Sequence, residues 1–159
     1  MAQKKQIRVS IAFQNKSLKI RPAKRSDAAM LAELSGQLGY PAEPAEMARR
    51  LRNIKPPSQH AVLVAESTER RVIGWVHVSL SPLLEVDLRA EVNGLVVADN
   101  ERSRGTGAVL LKAAEQWARR HRCKNMSVRS NVMRERAHEF YLRNGFEHYK
   151  TQKAFRKAI

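Results

Sequence analysis

The feature that most constrains this chain is a change of hydrophobic period across one short joint. Ala90-Glu91-Val92-Asn93-Gly94-Leu95-Val96-Val97 reads as a mostly apolar strand. From Gly105 to about His121, Val109, Leu110, Ala113, Ala114 and Trp117 recur at i, i+3 and i+4, the spacing of one helix face. The joint is Arg102-Ser103-Arg104-Gly105-Thr106-Gly107. A strand running into an amphipathic helix needs a sheet for that helix to cover, which places the chain among layered α/β proteins.

The remaining segments extend that pattern. Leu18-Lys19-Ile20-Arg21, halted by Pro22, predicts a short first strand. Ser26-Asp27 offers an N-cap before Ala28, Met30, Leu31, Leu34 and Leu38, a helical period that ends near Gly39. A second helix is expected from about Pro44 to Ile54, closed by Pro56-Pro57. Ala61–Ala65 and Arg71–Val78 read as strands joined through the polar Ser67–Arg70 as a hairpin, followed by an irregular segment around Ser81-Pro82. After the long helix come a short strand at Met126–Val128 and a helix of about a dozen residues through Ala137, Phe140, Tyr141 and Leu142. Gly145 ends that helix, and a final strand-like segment starts at Phe146. The order β-α-α-β-β-β-α-β-α-β predicts a mixed sheet with helices on both faces. There is no internal repeat and no low-complexity tract.

With 159 residues the chain is expected to form a single domain over residues 17–159 behind an N-terminal extension, residues 1–16, expected to be flexible. No apolar run reaches the roughly 18 to 20 residues of a membrane span, and the basic N-terminus lacks the apolar core of a signal peptide. Neither a membrane nor export is expected. Cys123 is the only cysteine, which rules out a disulfide framework and zinc-type Cys/His spacing; no metal site is expected, and a reducing cytoplasm fits. The net charge of +15, with a pI near 10.8, implies attraction to anions: nucleic acid, an acidic surface, or a phosphate-rich cofactor or substrate. The basic residues are dispersed, as in Arg49-Arg50-Arg52 and Arg119-Arg120-Arg122, and aromatics make up only 6% of the chain. Nucleic acid is therefore not expected as a partner, since single-strand binding relies on aromatic stacking platforms.

The joint itself carries chemistry. A helix start leaves unpaired amides and a partial positive charge, which together attract an anion. Glycines let the backbone approach a phosphate closely, although a tight turn needing positive φ calls for the same residues. The joint lacks the Gly-Lys-Ser/Thr ending of a P-loop and the three-glycine spacing of a dinucleotide fingerprint.

Two motifs in order, Arg102-x-x-Gly105-x-Gly107 after Glu91–Val97, and Ala137-x-x-Phe140-Tyr141-x-x-x-Gly145-Phe146, resemble the signatures of the GNAT superfamily of N-acetyltransferases. With the opening Ile20-Arg21-Pro22 strand the resemblance extends over about residues 17–157. It implies a GNAT-like fold with a mixed, mostly antiparallel sheet and a splayed central strand pair. It also implies acetyl-CoA as co-substrate, and a homodimer, a common state in that family. In the family the amides of the glycine-rich turn hold the CoA pyrophosphate, which implies Arg102, Arg104, Gly105, Thr106 and Gly107. The strand before the turn pairs its backbone with the pantetheine arm, which implies Leu95, Val96 and Val97.

Tyr141 stands where the family keeps the acid for the departing thiolate, and Glu91 where many relatives remove the amine proton through a water. A phenol and a carboxylate have the acidities for those tasks; a core aromatic and a salt-bridged strand carboxylate are the structural alternatives. Many relatives carry asparagine where this chain has Arg134. Asn131, one turn earlier, is expected to contact the pantetheine arm, and Arg134 to meet a CoA phosphate. Tyr40, in Gly39-Tyr40-Pro41, is expected to line the acceptor pocket. His138 and His77 read as structural.

The segment Ser130–Gly145 is similar to small-molecule amine acetyltransferases, including the aminoalkylphosphonate type, although the loop Leu80–Arg89 lacks the histidine-rich character associated with that type. The expected activity is transfer of an acetyl group from acetyl-CoA to a primary amine of a small molecule, directly within a ternary complex. Two alternatives stay open: a protein N-terminus or lysine as acceptor, and a non-catalytic basic module that binds RNA or the ribosome.

Overall fold

The computed structural model describes residues 9–10, 18–54 and 58–159. Most of the N-terminal extension and Pro56-Pro57 lie outside the described residues. The chain forms two compact units, Met1–Val128 and Arg129–Ile159.

The first unit is built on one sheet whose strands lie side by side in chain order: β1 (Val9–Ser10), β2 (Lys19–Pro22), β3 (His60–Glu66), β4 (Val72–Ser81), β5 (Arg89–Val97) and β6 (Asn125–Val128). Neighbours are antiparallel as far as β5, and β6 joins β5 in parallel. The expected mixed, mostly antiparallel sheet is therefore present, with β1 as a two-residue edge pairing to Ile20 and Lys19. The parallel step at β6 needs a crossover, which the long helix supplies. The helices are α1 (Ala28–Gln37), α2 (Pro44–Asn53) and α3 (Thr106–Arg120).

Strand alternation assigns the two faces. Val76, Val78, Ala90 and Val92 are buried on the face that α3 covers with Val109, Leu110, Ala113, Ala114 and Trp117, the periodic residues of the sequence. Leu31 and Leu34 of α1 pack on the opposite face with Val64, Val72 and Val96, and Trp75 joins them at the edge. α2 packs mainly on α1, through Met47 and Leu51.

β5 does not alternate evenly. His77 pairs with Gly94 and Val78 with Val92, so Asn93 is an extra residue, a β-bulge. The bulge shifts the phase of the strand. Glu91 thereby faces the same side as Gly94 and Val96, the α1 side, and Val92 faces α3 together with Leu95 and Val97.

In the second unit α4 (Glu135–Arg143) is shorter than the dozen residues expected. Gly145, at φ +84°, lets the chain double back: its N–H donates to the Leu142 carbonyl and the Phe146 N–H to the Tyr141 carbonyl, both at 3.1 Å. The final strand expected from Phe146 does not form, since residues 146–159 carry no strand. Phe146 is used in closing the helix, its ring edge-on to Tyr141 at 5.4 Å, and everything after it is exposed, Tyr149, Phe155 and Ile159 included. A segment with neither a ladder partner nor a buried face gains nothing from extending.

A buried ion cluster ties β2 to the start of α1. Arg21 donates to both carboxylate oxygens of Asp27 (2.7 and 2.9 Å) and, through Nε, to Glu66 on β3 (2.7 Å). The expected cap at Ser26-Asp27 takes a different form. Asp27 accepts the Lys24 N–H at 2.7 Å, closing a 3₁₀ turn over Arg25–Asp27 ahead of α1. Hydrogen bonds from Arg21 hold both carboxyls below their ordinary values of 3.8 and 4.5. Their stabilisation is present above those values and is lost as pH falls through the lowered folded-state values. Arg21→Met is expected to cost about 3 kcal/mol near pH 7 by stranding two buried carboxylates. The loss measured by urea unfolding should shrink towards about pH 3, and an equal loss at both pH values would refute the ionic account.

Candidate active site

The ladder between β5 and β6 runs only from Arg89 to Val92, against Asn125–Val128. β6 ends there, while β5 continues beside β4 to Val97. From Asn93 onward the β6-side edge of β5 is outside that ladder, and the N–H and C=O groups on it, apart from the Val97 carbonyl that Arg102 engages, suit an extended ligand. The split and the bulge occur at the same residue. Of the three residues beyond it implied as backbone contacts, Val96 and Val97 have core side chains and Leu95 is half-buried.

β5 leads through a short 3₁₀ turn, Asp99–Glu101, into the glycine-rich joint. Gly105 is the N-cap of α3 with φ +84°, a left-handed conformation that residues with a Cβ adopt at a cost. Ser103 is left-handed as well, at φ +62°. No side chain caps the helix, and the first intrahelical bond runs from the Val109 N–H to the Gly105 carbonyl. The amides of Thr106, Gly107 and Ala108 precede it and form the donor end of a fifteen-residue helix. Gly107 has ordinary helical backbone, so its contribution is the missing side chain rather than an unusual φ.

The two arginines are partly engaged. Arg102 pairs with Asp99 at 2.5 Å and donates through Nε to the Val97 carbonyl at 3.3 Å, and Arg104 pairs with Glu101 at 3.1 Å. The donors that the joint leaves without a side-chain cap are therefore backbone amides.

On the α1 side of the sheet, just before the bulge, lies a polar patch that sequence reading touched only at Glu91 and His77. Glu91, 8% exposed, stands opposite the equally buried Ser79. Asn93 donates through Nδ2 to Ser79 Oγ at 2.8 Å and to the Glu91 carbonyl at 3.4 Å. His60 Nδ1 and His77 Nε2 lie 3.2 Å apart. Burial, aided by His60, pushes His77 down to about 4, so its imidazole is neutral at physiological pH. The sequence signal for this patch was an interrupted alternation: Asn93 and Gly94 within an apolar run, and the polar Arg89 and Glu91 before them.

In the second unit Tyr141 sits in α4, edge-on to Phe140 at 5.3 Å and to Phe146. Burial raises its phenol above the ordinary value of 10, with the Arg134 charge opposing. Asn131 serves the turn before α4: its Oδ1 accepts the Met133 N–H at 3.0 Å and its carbonyl pairs with His138 Nε2 at 2.9 Å. Asn131 is thus engaged in local structure, and His138 is accounted for. Tyr40, in the first unit, is 63% exposed after α1.

A hollow of about 700 Å³ borders the glycine-rich joint, lined by Glu33, Glu69, Arg71, Asp99, Glu101 and Arg104 among others. Among the described residues no group of His, Cys, Asp or Glu could hold a metal ion, and no helix is long and apolar enough to cross a membrane.

The profile of the Acetyltransferase (GNAT) family matches residues 28–146. An aminoglycoside N(6')-acetyltransferase type 1 of Klebsiella aerogenes is 28% identical over 102 residues, 62% of this chain and 67% of that protein. Among solved structures, an aminoglycoside N-acetyltransferase in complex with CoA superposes with a TM-score of 0.80 at 18% identity, over 94% of this chain and 100% of the other. A glucosamine-6-phosphate N-acetyltransferase from Arabidopsis thaliana superposes at 0.73 and 20% identity, over 87% and 97%. The chain belongs to the GNAT acetyltransferase family. It is an acetyl-CoA-dependent N-acetyltransferase.

The raised Tyr141 phenol is open to direct measurement. The difference between ultraviolet pH titrations of the wild type and Tyr141→Phe should place the missing tyrosine's ionisation above pH 10. Ionisation below that value would contradict the burial seen here.

Proposed function

We propose that this enzyme moves the acetyl group of acetyl-CoA directly to a primary amine of a small molecule within a ternary complex. The carrying observation is the coincidence on β5 of three features: the bulge at Asn93, the end of the β6 ladder at Val92, and the buried Glu91 carboxylate beside them. The open edge at Leu95, Val96 and Val97 suits the amide-bearing pantetheine arm, and the uncapped amides at Gly105, Thr106 and Gly107 suit the pyrophosphate. Arg102 and Arg104 add charge at that turn, and Arg134 is assigned to a further CoA phosphate. The side-chain NH2 of Asn131, near the start of α4, is assigned to the arm, and Tyr40 supplies an exposed wall for the acceptor.

Acetyl-CoA supplies an activated acyl thioester. Glu91, through a water, accepts the proton that the attacking amine must lose, because only a neutral amine has a lone pair for the carbonyl. Tyr141, kept protonated by burial, gives its phenolic proton to the departing sulfur as the C–S bond breaks. The proton on the amine side and the proton on the thiol side thus balance. An acceptor of the aminoalkylphosphonate type, suggested by the C-terminal motif, falls within this reading. The net charge of +15 favours a second reading with the same chemistry, in which the amine belongs to an acidic protein.

A thiol-release assay across aminoglycosides, aminophosphonates, polyamines, amino acids and peptides tests the proposal; release with peptides alone would select the second reading. Tyr141→Phe should lower kcat roughly 100-fold with little change in acetyl-CoA affinity, and Glu91→Gln should lower it by a similar order. Gly105→Val should instead weaken CoA binding, measured by calorimetry, and unchanged affinity would remove the turn from the cofactor site.

A further inference from the structure

Among the described residues only two buried side-chain nitrogen or oxygen atoms lack a hydrogen-bond partner: Arg89 Nε and Trp75 Nε1. Both belong to the α1 side of the sheet. Trp75 alternates with His77 and Ser79 on β4, and a Cβ built on Gly94 would lie 2.9 Å from its ring. Arg89 pairs with Ser81 and stands two residues before Glu91, with unbroken register between them. The bulge at Asn93 lies beyond that stretch, so Arg89 and Glu91 share a face, with side chains starting roughly 7 Å apart.

Both unmet atoms are donors, and nitrogen donors call for oxygen. A buried guanidinium N–H left empty is costly, and arginine is seldom buried without an acceptor. The planar fork of arginine matches a carboxylate or phosphoryl group. Beside Arg89 the patch holds the Glu91 carboxylate and the adjacent imidazoles of His60 and His77, so the guanidinium is the cationic group that an oxyanion would meet there.

We propose that Arg89 binds an oxyanion carried by the acceptor, so that the substrate class is a small primary amine bearing a carboxylate, phosphonate or phosphate a few bonds from the nitrogen. The inference rests on the reading of Glu91 as the amine-side base. With the amine at Glu91 and the anion at Arg89, the spacing of same-face neighbours on one strand fixes the distance between the two groups. Arg89 then selects the acceptor and takes no part in acyl transfer.

Matched pairs of acceptors test this: phosphoethanolamine against ethanolamine, β-alanine against its amide, and glucosamine 6-phosphate against glucosamine. In at least one pair kcat/KM should favour the anionic member by roughly 30-fold or more, and the favoured pair tells phosphoryl from carboxylate recognition. R89Q should erase that preference through KM of the acceptor, leaving KM for acetyl-CoA and the rate with neutral amines unchanged. R89K, which keeps the charge and the stem but not the fork, should retain part of it and serves if R89Q fails to fold. Equal use of neutral partners, or a preference that survives in R89Q and R89K, would overturn the proposal while leaving the acetyltransferase reading intact. Absence of thiol release with every amine would instead sink the small-amine reading. Calorimetry with methylphosphonate and acetate would still decide the role of Arg89: binding weakened in R89K supports it, and equal or absent binding in the wild type overturns it.

Discussion

Asn93 has no register partner of its own on β4, and that one surplus residue sets the layout of the polar patch on the α1 side. Without it, Glu91 would fall in phase with Leu95 and Val97 and face α3, in the driest part of the core. With it, the carboxylate joins Ser79, His77 and Gly94 on the α1 side, while Val92 and Ala90 keep the α3 interface apolar. A bulge also increases local twist, and the strand parts from β6 at that same residue. One inserted residue thus separates a polar face from a packing face, at the point where the β6 ladder ends. The cost is a weakened β4–β5 ladder, while on the other edge of β4 the pairing with β3 stays in register from His60 to Ala65.

That arrangement holds only if the sheet beneath it is fixed in register. Arg21, Asp27 and Glu66 bind β2, β3 and the entrance of α1 in one charge cluster far along the sheet from Glu91. It orients α1, whose Leu31 and Leu34 clamp Val64, Val96 and the rim at Trp75. Buried ion clusters contribute little net stability compared with an apolar replacement, but their geometry tolerates no slip. Rigidity at this end leaves the other end of the same face free to be polar.

Much of this could be read from the chain. The long helix, its apolar stripe and the hairpin follow from periodicity, which local packing obeys. Gly105 was legible because a strand-to-helix joint needs a left-handed residue, and Tyr141 because the closing motif resembles a family pattern. The bulge was not legible: a one-residue phase shift leaves the composition of Glu91–Val97 unchanged and appears only when β4 supplies a register. Arg89 does not stand out in the sequence either, since a charged residue at a strand start ordinarily points to solvent. The absent final strand has the opposite cause. Its apolar residues suggested a strand, but pairing is a tertiary property, and Phe146 had already been used in the helix closure.

The charge of the chain bears on its substrates as well. Several carboxylates are already taken up by neighbouring cations: Glu46 by Arg50, Asp99 by Arg102, Glu101 by Arg104, Glu115 by Arg119 and Asp87 by Lys124. Such exposed pairs contribute little to stability, but they leave the excess of lysine and arginine unopposed at longer range. A field of that sign raises the local concentration of anions and accelerates their arrival, an effect that falls with ionic strength. Acetyl-CoA, with its phosphates, gains from it whatever the acceptor. On the proposed reading, a polycationic acceptor is disfavoured by that field, whereas an amine carrying its own oxyanion is drawn to the patch and held by Arg89, whose Nε is buried without a partner.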